Sequence, residues 1–190
     1  MLPTLDKKEL EAAKKTFQEV PRMLKAFESW FGKYPWYEDG YKLITVLYPG
    51  MEHQSSVTYG NYFRNGYRDR DQSHVGLGMK FDFIIVHESA HEWWGNNISM
   101  RDAADMWIHE GWTTYLEALY VEARWGKDAA IRYVNGEKPK VKNLDPVITQ
   151  NPLPGRGQIN LDPASTPRIT LRYDPFDAGE AEKFDHPEKF

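Results

Sequence analysis

The sequence predicts an α+β protein, with strands before residue 60 and helices after residue 80. Three observations lead there. Tyr41–Tyr48 (YKLITVLY) is crowded with β-branched and aromatic residues, and Ser55–Tyr59 (SSVTY) repeats that character in a shorter run after a break at Pro49-Gly50. Beyond Lys80, by contrast, apolar residues recur at three- and four-residue steps as far as Val134.

Taken in order, the chain first predicts helix. Leu10, Ala13, Phe17 and Val20, then Leu24, Phe27, Trp30 and Phe31, line one face between Lys7 and Phe31. Pro21 interrupts that face and is expected to kink or divide the helix, and Gly32 is placed to end it. The two strands come next. Asn61–His74 has little period and contains Gly66, which predicts a loop. Two helices follow, Lys80–Trp94 ending near Gly95-Asn96-Asn97, and Asp102–Trp125 ending at Gly126. A short helix, Lys127–Val134, is expected to close at Asn135-Gly136. From Asn143 to Phe190 the prolines are dense and the periodicity is gone, so the expected division is one domain over 1–142 and a Pro-rich irregular extension over 143–190.

Composition removes several function classes. The formal charge is -4 and the Lys and Arg residues are scattered, so no stripe exists to neutralise a run of phosphates, and no nucleic-acid partner is expected. The chain has no cysteine, which excludes disulfides and thiolate metal sites and leaves His and carboxylates as the ligands for any metal. The apolar run Phe81–Val86 is broken by Asp82 and far too short to span a bilayer. Met1–Lys8 holds no signal-peptide core, so the expectation leans to the cytoplasm, with oligomeric state undetermined.

The chemistry gathers at His87-Glu88-Ser89-Ala90-His91. On a helix, residues four apart share a face, so both imidazoles can reach one ion. Glu88 stands one step round from His87, beside that face, where a carboxylate can act as a general base without occupying a coordination position. A catalytic zinc site generally has three protein ligands, and Glu110, separated from His91 by eighteen intervening residues, is spaced to return on a second helix as the third. Alone, the five-residue pattern is matched as well by chance, and a lone Glu by a helix-start carboxylate; together they point to a metal. His109, His53, His74 and His186 lack helical partners and are not first-choice ligands. Trp93, Trp94, Trp107 and Trp112 read chiefly as packing, although aromatic residues could also line a pocket. Glu117 and Thr114 are candidates to receive the second N–H of a ligating imidazole.

HESAHEWWGN (His87–Asn96) followed by WIHEGWTTYLE (Trp107–Glu117) resembles the zinc signature of the aminopeptidase N family of metallopeptidases, in spacing and in flanking residues together. Gly50-Met51-Glu52-His53 resembles the family's Gly-x-Met-Glu-Asn strand edge, with His53 at the Asn position and Pro49 at the first Gly position. The resemblance covers residues 20–142. It implies a thermolysin-like zinc peptidase catalytic domain, with zinc on His87, His91 and Glu110, Glu88 as base, and Glu52, with Met51 and Gly50 beside it, holding the free amino group of a peptide substrate.

The departures are equally specific. The family's oxyanion-stabilising Tyr sits in a Tyr-x-Lys-Gly context that is absent here; Tyr173, 63 residues after Glu110, stands at a comparable distance in a different setting and is the candidate for that role. The family's large flanking β and helical domains have no counterpart in 190 residues. The expected activity is zinc-dependent hydrolysis of the N-terminal peptide bond. A broader zinc peptidase or endopeptidase, and a zinc-stabilised binding domain with little turnover, remain as alternatives.

Overall fold

The computed structural model describes residues 6–101 and 105–141. Helices α1 (Lys7–Thr16) and α2 (Glu19–Phe31) open the fold. Asp6 caps α1 by accepting from the Glu9 amide while the Glu9 carboxylate accepts from the Asp6 amide, so two otherwise unpaired N–H groups are satisfied together. The division between the helices falls at 17–18, not at Pro21. Pro21 stands in the first turn of α2, where a missing N–H costs no intrahelical bond, so the proline marks a helix start and not a break within one. Gly32 ends α2 and Gly126 ends the long helix Trp107–Trp125 as expected, both with positive φ (82° and 85°).

The β lobe is smaller than the sequence suggests: β1 (Leu43–Thr45), β2 (Gly50–Met51) and β3 (Val57–Tyr59) form one three-stranded sheet. β3 is central and buried, pairing parallel with β1 and antiparallel with β2, so β2 lies at an edge. Gly50, expected in the break between strands, is instead a strand residue opposite Tyr59. The stretch after β3 is a loop as expected, and a 3-10 turn, Gly78–Lys80, precedes the next helix.

Helix α3 (Phe83–Ala90) is shorter than Lys80–Trp94 because Asp82 caps it at the start and the chain leaves helical geometry after His91. It is buried nearly all round, with Ile84, Ile85, Val86, Ser89 and Ala90 at most 1% exposed, as a central helix must be. α4 (Trp107–Trp125) and α2 pack against it. α5 (Lys127–Glu137) packs on α4 and runs through Asn135-Gly136 instead of stopping there. Gly136 is required on steric grounds, since a Cβ there would lie 1.8 Å from the Ser73 carbonyl oxygen; the glycine admits the loop backbone against the helix. Between these helices Phe27, Phe81, Trp93, Tyr120 and Tyr133 meet edge-on or tilted, with ring centroids 5.6–6.4 Å apart. The predicted 143–190 extension, like the 102–104 start of the second long helix, lies outside the described residues.

Candidate metal and substrate site

The site is assembled where α3, α4 and the β2–β3 turn meet, and α3 is aimed by its cap. Asp82 is fully buried and accepts from the Ile85 amide, from Asn61 Nδ2 at 2.8 Å and from the Tyr59 hydroxyl at 2.5 Å, which ties the helix start to the end of β3. Burial pushes the Asp82 carboxyl up to about 7 against the opposing pull of those hydrogen bonds.

From that anchor His87 and His91 project toward α4. His87 Nδ1 donates to Glu117 Oε1 at 2.7 Å, and His91 Nδ1 lies 3.0 Å from the Trp94 carbonyl and 3.1 Å from Thr113 Oγ1. A carbonyl only accepts, so the Nδ1 of His91 carries a proton, and the Nδ1 of His87 is held by Glu117; both imidazoles therefore turn Nε2 toward the site. The two Nε2 atoms converge on Glu110, with His87 Nε2 3.5 Å from Oε2 and His91 Nε2 3.7 Å from Oε1. Around a tetrahedral zinc with bonds near 2.0–2.1 Å, neighbouring ligand atoms stand about 3.3 Å apart, so two imidazoles and one carboxylate at these separations fit such an ion with little adjustment.

The electrostatics fit as well. Burial alone would pull the His87 imidazolium down, but hydrogen bonds to Glu110 and Glu117 and the charges of Glu117 and Glu88 outweigh it and push it up to about 10. Contact with His87 holds Glu110 below the usual carboxylate range despite partial burial, and burial followed by the His87 charge holds His91 low. This cluster of carboxylates around one half-buried imidazole is a setting that stabilises positive charge.

Glu88 is 8% exposed; burial first, and then the Glu52 and Glu110 charges, raise it to about 7 against the opposing pull of His87. Ligand atoms of Glu52, Glu88 and His91 lie within 4.8 Å of one another, as do those of His87, His91 and Glu110, so the two groups share His91. Gly50 presses directly on Glu88: a Cβ there would stand 3.0 Å from Glu88 Oε1. Met51 is exposed, with its carbonyl accepting from Thr58 Oγ1. Tyr173 lies outside the described residues.

Several contributors were not read from the sequence. Asn96 Nδ2 donates to the Glu52 carbonyl at 2.9 Å, and the fully buried Glu92 accepts the Ser55 amide at 2.8 Å, so two ties fasten the turn that carries Glu52 to the segment that follows α3. Glu117 stands where expected, but its companion is Thr113, not Thr114. Both lie within a turn of Glu110, but Thr113 is buried and bonds His91, whereas Thr114 is turned to solvent. His109 is occupied elsewhere, its Nε2 accepting the Met100 amide at 3.2 Å with Ser99 Oγ at 3.1 Å. Trp93 is core, donating to the Gly32 carbonyl. Trp94 stacks on Trp112 at 4.6 Å, and Trp107, Gly111, Trp112 and Tyr115 line a shallow depression of about 400 Å³. Among the described residues no helix is long and apolar enough to cross a membrane.

Comparison with known proteins bears on this geometry. Leucine aminopeptidase 2 of Eremothecium gossypii is 34% identical over 120 residues, which are 63% of this chain and 18% of that protein. Aminopeptidase Ey of Gallus gallus is 32% identical over 122 residues, 63% of this chain and 12% of that protein. Aminopeptidase N of Canis lupus familiaris is 32% identical over 88 residues, 45% of this chain and 9% of that protein. The chain therefore spans less than a fifth of the length of these relatives. The peptidase family M1 domain is matched over residues 15–166, most of the 190, so the chain belongs to peptidase family M1.

Proposed function

We propose that this chain is the catalytic part of a zinc aminopeptidase that hydrolyses the first peptide bond of peptides with a free amino terminus. The observation that carries the reading is the sharing of His91 by two groups, His87–His91–Glu110 and Glu52–Glu88–His91. It supports a metal centre, a base and an amine-binding carboxylate within one residue's reach of each other. The architecture is taken as thermolysin-like, with the β2 edge facing the helical lobe.

His87, His91 and Glu110 would hold zinc, which when bound polarises the scissile carbonyl and makes nearby water more acidic. Glu88, raised to about 7 by its buried surroundings, takes the proton of the attacking water and delivers it to the departing amine. Glu52 accepts hydrogen bonds from the substrate ammonium and so fixes which carbonyl lies over the base. β2 has an unpaired side along which an extended peptide can lie, main chain to main chain. Glu117, Thr113 and the Trp94 carbonyl keep the two imidazoles turned.

The test combines metal analysis with paired substrates, one with a free amine and one acetylated. One zinc per chain and turnover of the free-amine substrate alone are expected. Glu52→Gln should lower kcat/KM for that substrate by roughly 10–100-fold, the equivalent of one charge-assisted hydrogen bond. Equal turnover of both substrates would reject the aminopeptidase reading in favour of a broader peptidase, and zinc without hydrolysis would favour a binding domain.

A further inference from the structure

The buried polar chain behind His87 continues beyond Glu117. Glu117, on α4, is 2% exposed, and its two carboxylate oxygens have different partners: Oε1 faces His87 Nδ1 at 2.7 Å, and Oε2 accepts from the Tyr133 hydroxyl at 2.6 Å. Tyr133 belongs to α5 and is 1% exposed, packed against Phe81. Resting on the metal-binding reading above, we infer that Tyr133 is a positioning residue of the metal centre, acting through Glu117 to hold the His87 imidazole.

The physical argument is one of satisfaction and orientation. A buried carboxylate needs a donor at each oxygen, and one held at a single oxygen can turn about its terminal torsion. With Tyr133 donating to Oε2, the carboxylate plane is set and Oε1 stays directed at His87. Without that hydroxyl, Oε2 is left dry, and the lowest-energy response is rotation of the carboxylate toward another donor, which slackens the bond to His87. Burial, and then the Glu117 charge, push the Tyr133 phenol far above its ordinary value, so it remains a donor throughout any working pH range. The register of α5 matters for the same reason. Gly136, one turn further along, lets that helix seat against the Ser73 backbone and so brings Tyr133 to depth.

A core tyrosine with a convenient acceptor would give the same hydrogen bond, and zinc affinity separates the two roles. The experiment measures zinc dissociation constants by chelator competition for the full chain, Tyr133→Phe, Glu117→Gln and the double variant, with urea stability alongside. Glu117→Gln is expected to weaken zinc binding about 10–100-fold, and Tyr133→Phe toward the low end, about tenfold. In the Glu117→Gln background, Tyr133→Phe should change affinity by less than about twofold, because its route to the metal is already cut. A Tyr133→Phe affinity within about twofold of the parent would overturn the inference even if stability fell. So would a full additive loss in the double variant. Failure of Tyr133→Phe to fold while Glu117→Gln folds would also overturn it, by making the hydroxyl a requirement of the core. Absence of zinc binding by the parent chain would instead refute the metal-binding reading itself, and this inference with it.

Discussion

Replacing Asp82 by Asn tests how α3, the helix of His87, is anchored. Two effects oppose each other at that carboxyl. Burial disfavours its charge, while the Tyr59 hydroxyl, Asn61 and the Ile84 and Ile85 amides favour it; burial wins, and the group moves from 3.8 to about 7. The sign follows from proton counting. Between those two values the folded chain holds a proton that the unfolded chain has released, so stability falls as pH rises through this window and is level above it. Each pH unit inside the window is worth about 1.4 kcal/mol, so going from pH 5 to pH 8 removes about 3 kcal/mol through this one group. Asn has nearly the same shape, caps helices equally well and cannot ionise. Asp82→Asn should therefore gain about 3 kcal/mol relative to the parent between pH 5 and pH 8. Urea denaturation followed by circular dichroism, with a chelator present in both series, would measure it. A difference between the chains that stays within about 0.5 kcal/mol across that range would refute the argument, and a trend of opposite sign would show that the hydrogen bonds outweigh burial.

Other perturbations isolate other links. Glu88→Gln should keep stoichiometric zinc by metal analysis while lowering kcat by about 10²–10⁴-fold, the usual contribution of a positioned base. Asn96→Ala removes the donor to the Glu52 carbonyl and should cost about 1–3 kcal/mol, reported as a higher KM for free-amine substrates with zinc content unchanged. Gly136→Ala gains helix propensity of about 1 kcal/mol but drives a methyl into the Ser73 carbonyl, so net destabilisation of at least about 1–2 kcal/mol is expected in the urea midpoint.

The local features of the site were legible in the sequence because they rest on helix periodicity. The four-residue step from His87 to His91 and the two-turn step from Glu110 to Glu117 follow from the 3.6-residue repeat, whereas Glu110 itself is reached from its spacing after His91 and the need for a third ligand. What was not legible depends on contacts between elements. Pro21 looks like a break until the helix start at Glu19 places it in a first turn. Asn135-Gly136 reads as a stop until Ser73 is seen against it. Thr113 and Thr114 are equivalent on paper, and a rotation of one residue around α4 decides between them. The pairing of Asn96 with the Glu52 carbonyl joins residues 44 apart, a separation at which no periodicity operates.

The same pairing also sets a distance. With the Glu52 carbonyl held by Asn96 and the Ser55 amide held by Glu92, the turn and the segment that follows α3 cannot slide past one another without breaking both bonds. Under the proposed reading, the interval between the carboxylate that receives the amine and the one that receives the proton is a fixed length, and the site works as a ruler graduated in single residues. A substrate whose amine is seated but whose scissile carbonyl falls one residue further on meets no base, so sorting by chain end would come from measurement and not from closure of the site around its substrate.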